Sequence, residues 1–274
     1  MLEPGTLLLD RFRIDRLIGV GGMGLVYRAI DTSAERRVAV KILNEVALLA
    51  PAMVSRFHRE AKLLKKLRHP HVIEVIEVGQ IDDGSPFYVM ELLEGRDLRQ
   101  ELRARGTIPI DEAAGYAIQA AQALSAVHRA GIVHRDLKPQ NLFVTELTGA
   151  RRIKLLDFGI SKTNEEGEAT LTATSGVLGT PYYMSPEQIL AAQEVDARSD
   201  IWSLGVILYT ILTGRLPFTR GSVAAVIAAI PSDPPDPFTN DDSHIPPRAR
   251  ELLLHCLEKD PARRFATADA VAVA

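Results

Sequence analysis

The run Ile201-Trp-Ser-Leu-Gly-Val-Ile-Leu-Tyr-Thr-Ile-Leu212 is apolar on every face of a helix, and no other feature constrains the fold as strongly. A surface helix carries one apolar stripe backed by polar residues, whereas a helix that is apolar all round must be enclosed. The run is far shorter than the ~20 residues that span a bilayer, so the enclosure has to come from protein. The chain has the material for it. Its 274 residues are 46% hydrophobic and 24% charged, enough for one large domain or for two lobes with a core each.

The candidate neighbours of this run are helical. IDEAAGYAIQAAQALSAVHRAG reads as a long Ala-rich helix with Asp111 as N-cap and Gly131 just past its end. RARELLLHCLEK is another, and a final amphipathic helix follows Thr267. The first part of the chain is different. RFRIDRLI, LVYRAID and RRVAVKIL alternate with period two between the turn-like GVGGMG and DTSAE. SRFHREAKLLKKLRHP then carries apolar Phe57, Ala61, Leu64 and Leu67 at helical spacing and ends at Pro70. HVIEVIEVG and PFYVMELLEG read as further strands, and PSDPPDPFTNDDSHIPP as a Pro-stiffened loop. Strands followed by helices predict an α+β protein in two lobes, with a hinge near residues 91–95. Clefts between such lobes are favoured ligand sites.

A net charge of −3 provides no general basic field, which argues against nucleic-acid or anionic-membrane binding. The single cysteine, Cys256, excludes an internal disulfide framework and fits a reducing compartment. Within LLLHCLEK it reads as a buried thiol. MLEPGTLLLD lacks the basic flank and apolar core of a signal peptide. The expectation is a soluble, cytoplasmic domain without a membrane segment.

Three stretches carry candidate chemistry. Gly19-Val20-Gly21-Gly22-Met23-Gly24 matches G-x-G-x-x-G, but a dinucleotide turn needs a helix after it. Here Leu25 and Val26 open a strand, which leaves a plain hairpin turn or a glycine flap over phosphates. Lys41 ends V-A-V-K on the third strand, sharing a face with Ala39 and Leu43. Glu60 falls beside Phe57, Ala61 and Leu64 on the apolar stripe of the following helix. A carboxylate drawn toward a core is costly unless paired. Two readings stand, a Lys41–Glu60 ion pair or a Glu60 in water at the stripe's edge. The densest cluster is His134-Arg135-Asp136-Leu137-Lys138-Pro139-Gln140-Asn141 between the apolar IV and LFV, followed after RRIKLL by Asp157-Phe158-Gly159.

In this order GVGGMGLV, VAVK, a helical Glu, HRDLKPQN, DFG, GTPYYMSPE and DIWSLG cover almost the whole chain, which thereby resembles the protein kinase family. GGMGLVY, RHPHV and YYMSPEQ are closest in flavour to bacterial serine/threonine kinases of eukaryotic type. The resemblance implies one catalytic domain over residues 1–274 with the two-lobed kinase fold: a β-sheet N-lobe with one key helix (11–92) and a mainly helical C-lobe (95–274). It implies ATP and Mg²⁺ as cofactors, with Mn²⁺ as a substitute, and protein serines or threonines as substrates. Asp136 matches the base, Lys138 the residue steadying the γ-phosphate, and Lys41 the phosphate contact paired with Glu60. Asn141 and Asp157 match the metal ligands. Ile18, Val26 and Ala39 match one wall of the adenine site and Phe143 the other. Met90 matches the gatekeeper, Glu91 and Leu93 the hinge backbone, and Asp97 the ribose contact.

Lys138 and Thr180 both follow the serine/threonine pattern, Thr180 through an implied contact with the catalytic Asp and Lys. Other matched positions imply structure: Glu187 pairs with Arg263, and Asp200 holds the backbone of the catalytic loop. The activation segment is 157–187. Within it Thr172 and Thr174 are the expected autophosphorylation sites, Thr170 and Ser175 secondary ones, and Arg135 is the cation that receives the phosphate. The family also allows a homodimer for trans-autophosphorylation and a longer, membrane-anchored parent protein. The alternative is a pseudokinase that binds partners without catalysis. Its usual mark is loss of the lysine, the base or the metal aspartate, and Lys41, Asp136 and Asp157 are all present.

Overall fold

In a computed structural model, which describes residues 1–21, 24–81, 84–147, 149–157, 181–190 and 195–274, the alternating segments become one antiparallel sheet. Gly22, Met23, Thr170, Thr172, Thr174, Ser175 and Thr180 lie outside the described residues. Contacts divide the chain into two units, Met1–Glu94 and Gly95–Ala274.

The first unit's strands are β1 (Leu7–Leu8), β2 (Phe12–Val20), β3 (Gly24–Asp31), β4 (Arg36–Leu43), β5 (Val75–Gln80) and β6 (Pro86–Glu91), in the order β1-β2-β3-β4-β6-β5. Successive side chains of a strand point to opposite faces. One face carries Phe12, Ile14, Tyr27, Ala29, Val38, Val40, Ile42, Phe87 and Val89 into a buried cluster. The intervening positions place Val26 opposite Lys41, Lys41 opposite Tyr88 and Ala39 opposite Met90 on the other face. Helix α1 (Glu45–Leu48) leads into α2 (Pro51–Lys66), whose Phe57 ring lies 5.1 Å from that of Tyr88. Helix α2 stops at Lys66 with Leu67 as C-cap, short of the expected boundary at Pro70. The β3–β4 turn is tied down by buried Asp31, which accepts from Arg11 Nε at 2.8 Å and from a second guanidinium nitrogen at 2.7 Å. Those bonds hold the Asp31 carboxyl far below the usual carboxylate range.

The second unit begins with β7 (Gly95–Asp97), α3 (Leu98–Arg105) and α4 (Ile110–Arg129). Strands β8 (Leu142–Leu147) and β9 (Ala150–Leu155) complete a three-stranded sheet with β7. Helices α5 (Pro186–Leu190), α6 (Arg198–Thr213), α7 (Val223–Ser232), α8 (Pro247–Cys256) and α9 (Ala268–Val273) follow. Gly95 opens β7 at φ +143°, and a Cβ there would lie 2.1 Å from the Val144 carbonyl oxygen, so only glycine fits. The expected N-cap of α4, Asp111, is corrected. The helix starts two residues earlier behind Pro109, and Asp111 sits in the first turn, where its charge complements the helix dipole. The expected end holds, with Gly131 just past α4 at φ +74°.

Helix α6 is the all-apolar run, buried from Ser199 to Thr213 and packed against α4, α8 and α9. Each enclosed Leu or Ile contributes about 1.5–3 kcal/mol. The crossing with α8 is close because Gly205 has no side chain. A Cβ at Gly205 would come within 2.6 Å of the Cβ of Cys256. Gly205→Ala is therefore expected to destabilise the protein by about 1–3 kcal/mol through overpacking, read by thermal denaturation. An unchanged melting temperature would mean that the two helices can separate without cost. Cys256 is fully buried, which pushes its thiol up to about 12, consistent with packing and not with nucleophilic chemistry.

Candidate active site

The HRDLKPQN cluster forms an ordered loop in the second unit, between the end of α4 and β8. Its frame is Asp200, in the first turn of α6 and fully buried. Asp200 Oδ2 accepts the backbone N–H of His134 at 2.8 Å, and Oδ1 accepts that of Arg135 at 2.9 Å. His128 Nε2, from α4, lies 2.7 Å from Asp200 Oδ2. A buried carboxylate is tolerable only when its lone pairs are satisfied, and these three contacts do that while joining α4, α6 and the loop.

His134 is the internal strut. Complete burial pushes its ring below the ordinary histidine value, which keeps it neutral. Nδ1 accepts the Asp136 N–H at 3.3 Å, so Nε2 carries the proton and donates to the Leu156 carbonyl at 3.0 Å. Arg135 has φ +62° and Asp157 φ +42°. Both are left-handed conformations that a non-glycine residue keeps only where its surroundings enforce them.

From this frame the charged side chains project. Lys138 Nζ lies 2.7 Å from Asp136 Oδ2, with the two side chains 22% and 21% exposed, accessible but not freely solvated. Asn141 is buried. Its Nδ2 donates to the Asp136 carbonyl at 2.9 Å and to the Asp157 carbonyl at 3.3 Å. The amide nitrogen is thus committed, and Oδ1 is the atom left to face a ligand. Asp136, Lys138 and Asn141 share this loop, and Asp157, which follows β9, is joined to it through the bond from Asn141 Nδ2 to its carbonyl. A depression beside them is lined by Arg135, Asp136, Lys138, Tyr183, Met184 and Gln188. Phe143 lies in β8 opposite Asp97. Asp97 Oδ1 accepts from Gln100 N at 2.8 Å as N-cap of α3, a structural task beside the ribose contact that the resemblance implies.

In the first unit the glycine segment links β2 to β3, as a hairpin turn or flap requires. Gly19 pairs with Val26, Val20 with Leu25, and Gly21 N donates to Gly24 O at 2.8 Å. Ile18 and Val20 are exposed. Lys41 and Met90 sit on the face opposite the core cluster, and Lys41 Nζ lies 5.8 Å from the centre of the Tyr88 ring. Glu60 is 8% exposed, which removes the reading that leaves it in water. Glu91 N donates to Glu74 O at 3.0 Å, and Glu91 Oε1 accepts from Glu74 N at 2.9 Å. Leu93 is half-buried.

The Glu187 pairing is corrected. Its partner is Arg264, whose guanidinium reaches Oε1 at 2.7 Å and Oε2 at 2.9 Å. Pro261–Arg263 is a short 3-10 turn, and extended backbone at Arg264 directs the second arginine inward. Arg263 remains 69% exposed beside Glu258. Ser199 adds a further bond to Glu187.

Among the described residues no cluster of three or more His, Cys, Asp or Glu could hold a metal ion, and no helix is long and apolar enough to cross a membrane. A sequence profile of the protein kinase domain matches residues 12–273. The chain is 40% identical over 272 residues to the serine/threonine-protein kinase pkn3 of Myxococcus xanthus, covering 97% of this chain and 49% of that protein. It is 37% identical to a probable serine/threonine-protein kinase PknB of Corynebacterium glutamicum, covering 97% of this chain and 42% of that one. To the serine/threonine-protein kinase PknA of Mycobacterium tuberculosis it is 37% identical, covering 98% and 62%. The chain thus spans between about two-fifths and three-fifths of the length of these relatives.

Proposed function

From the premise that this chain belongs to the protein kinase family, we propose that it catalyses ATP-dependent phosphorylation of serine and threonine hydroxyls on proteins. The observation that carries the reading is the Asp136–Lys138 pair at 2.7 Å, in a loop whose backbone is held by buried Asp200. A carboxylate so placed accepts the proton of a substrate hydroxyl while its oxygen attacks the γ-phosphorus and the bond to the β-phosphate breaks, releasing ADP. The Lys138 ammonium holds the charge of the transferring group. On the first unit we assign Lys41 to the α- and β-phosphates, with Glu60 as its buried partner.

The donor set suits a small, hard divalent cation. Mg²⁺ is held by one or two carboxylates with substrate phosphates, not by an all-protein cage, and the exposed Asp157 carboxylate with Asn141 Oδ1 offers that incomplete set. Mg²⁺, with Mn²⁺ as substitute, would supply charge neutralisation on the phosphates. We further propose autophosphorylation at Thr172 or Thr174, in trans between two copies, with Arg135 as the cation that receives the phosphate. A cytoplasmic setting fits ATP use. Lys41, Asp136 and Asp157, whose loss marks a pseudokinase, are all in place.

Incubation with labelled ATP and Mg²⁺ is the test. Label is expected on the protein itself and on a generic basic protein substrate, and mass spectrometry should place the self-label between Thr170 and Ser175. Absence of label from both proteins over a range of divalent cations would overturn the reading. Activity with no phosphate in that interval would overturn the regulatory part alone.

A further inference from the structure

We propose that Gln188 is a positioning residue for the catalytic loop: its side-chain amide clamps the Arg135 carbonyl and so sets the direction of Asp136. This rests on the kinase reading, in which Asp136 is the base.

The local role of Gln188 is ordinary. Ser185-Pro-Glu-Gln188 is a helix-capping box at the start of α5. Ser185 N donates to Gln188 Oε1 at 3.0 Å, and Gln188 N donates to Ser185 Oγ at 3.4 Å. Such a box uses one side-chain oxygen at its last position, so glutamate serves as well as glutamine. Glutamine brings a second group. Its Nε2 donates to the Arg135 carbonyl at 2.8 Å, across 53 residues of sequence. The amide cannot be turned over. A flip would set Nε2 against the Ser185 N–H and Oε1 against a carbonyl, two like-with-like contacts.

What is clamped matters more. Arg135 stands at φ +62°, and a left-handed arginine persists only when both of its peptide groups are held. Its N–H goes to Asp200 Oδ1 at 2.9 Å and its carbonyl to Gln188. Asp200 comes from α6 and Gln188 from α5, so the strained residue is gripped by two helices. The Arg135 carbonyl shares a peptide plane with the Asp136 N–H, whose own bond to His134 is long, at 3.3 Å. Gln188 therefore supplies the shorter restraint on that plane, and the plane directs the Asp136 side chain. Gln188 and Asp136 line the same depression.

Gln188→Glu keeps the capping oxygen and removes the donor. Its kcat on a peptide substrate should fall roughly tenfold, as expected for a misplaced catalytic group, with KM for ATP at the wild-type value and Tm lowered at most slightly by the carboxylate oxygen that now faces the Arg135 carbonyl. Amide hydrogen exchange in residues 133–137 should speed up. Gln188→Met, neutral and of similar length, loses both functions; it should show the same fall in kcat together with a lower Tm, which separates donor loss from added charge. Wild-type kcat and wild-type exchange in Gln188→Glu would overturn the proposal. So would a fall in kcat confined to Gln188→Met and matched by its loss of Tm, the mark of a purely structural cap. If the wild-type protein transfers no phosphate, the kinase reading fails by itself. The exchange measurement then decides the clamp alone, unchanged protection in Gln188→Glu refuting it.

Discussion

Asp136→Asn is expected to lower kcat by about 10²–10⁴-fold, the range for loss of a general base, while Tm and the affinity for ATP stay near wild type. The selectivity follows from how the loop is built. Its backbone is fixed by Asp200 through the N–H groups of His134 and Arg135 and by Asn141 through the Asp136 carbonyl. None of these bonds uses the Asp136 carboxylate. Asparagine fills the same volume and still accepts from Lys138, so the fold has no reason to change. Only the capacity to take up a proton is lost. Steady-state kinetics beside a melting curve check this, and undiminished phosphotransfer by the variant would remove Asp136 from its assigned role.

The largest effect on stability is expected from Arg264→Ala. Arg264 is completely buried. Besides Glu187 it donates to the carbonyls of Glu258 at 2.7 Å, Arg198 at 3.1 Å and Lys259 at 3.1 Å. Removing one member of a buried pair leaves an uncompensated charge and costs about 3–5 kcal/mol, a fall in Tm on the order of 10 °C for a chain this size. Arg263→Ala, one residue away and exposed, should stay within about 0.5 kcal/mol. Equal effects from the two would refute the assignment. The acid limb should change as well. Burial alone would raise the Glu187 carboxyl, but the bonds from Arg264 and Ser199 outweigh it and the net shift is below the ordinary 4.5. The folded form thus binds that proton less readily than the unfolded chain. Its stabilisation is present above about pH 4.5 and lost as pH falls through the depressed value. Without Arg264 only the weaker bond from Ser199 opposes burial, and that acid sensitivity should shrink or reverse.

The contrast between Arg263 and Arg264 shows where sequence reading stops. Strands β2 to β4 are legible because a sheet with one buried face imposes a strict alternation, and α6 because burial on all sides leaves no polar face. PARRF has neither period. Which of two adjacent arginines turns inward depends on a three-residue 3-10 turn and on the backbone of the residue after it. The same holds for the start of α4, where Asp111 is the better capping residue by type yet Pro109 holds the N-cap position. Helices α3 and α5 are too short for a periodic signal and are marked only by capping boxes. The HRDLKPQN cluster is legible as a cluster because its residues are contiguous. Its supports are scattered. His128 and Gln188 carry no local hint of what they touch, since their partners lie 72 and 53 residues away.

Those separations bear on how the chain is made. Ser125 of α4 is bonded to Asp269 of α9, 144 residues later, and Glu187 waits 77 residues for Arg264. On the ribosome α6 therefore emerges with nothing yet available to cover the sides that α8 and α9 will occupy. At ~5–20 residues per second, several seconds of synthesis separate Leu212 from Ala268. Throughout that interval the most continuously buried helix of the second unit lacks part of its cover and can meet solvent, chaperones and neighbouring nascent chains. The helix whose Asp200 holds the HRDLKPQN loop in the finished fold is thus also the segment that makes its biosynthesis hazardous.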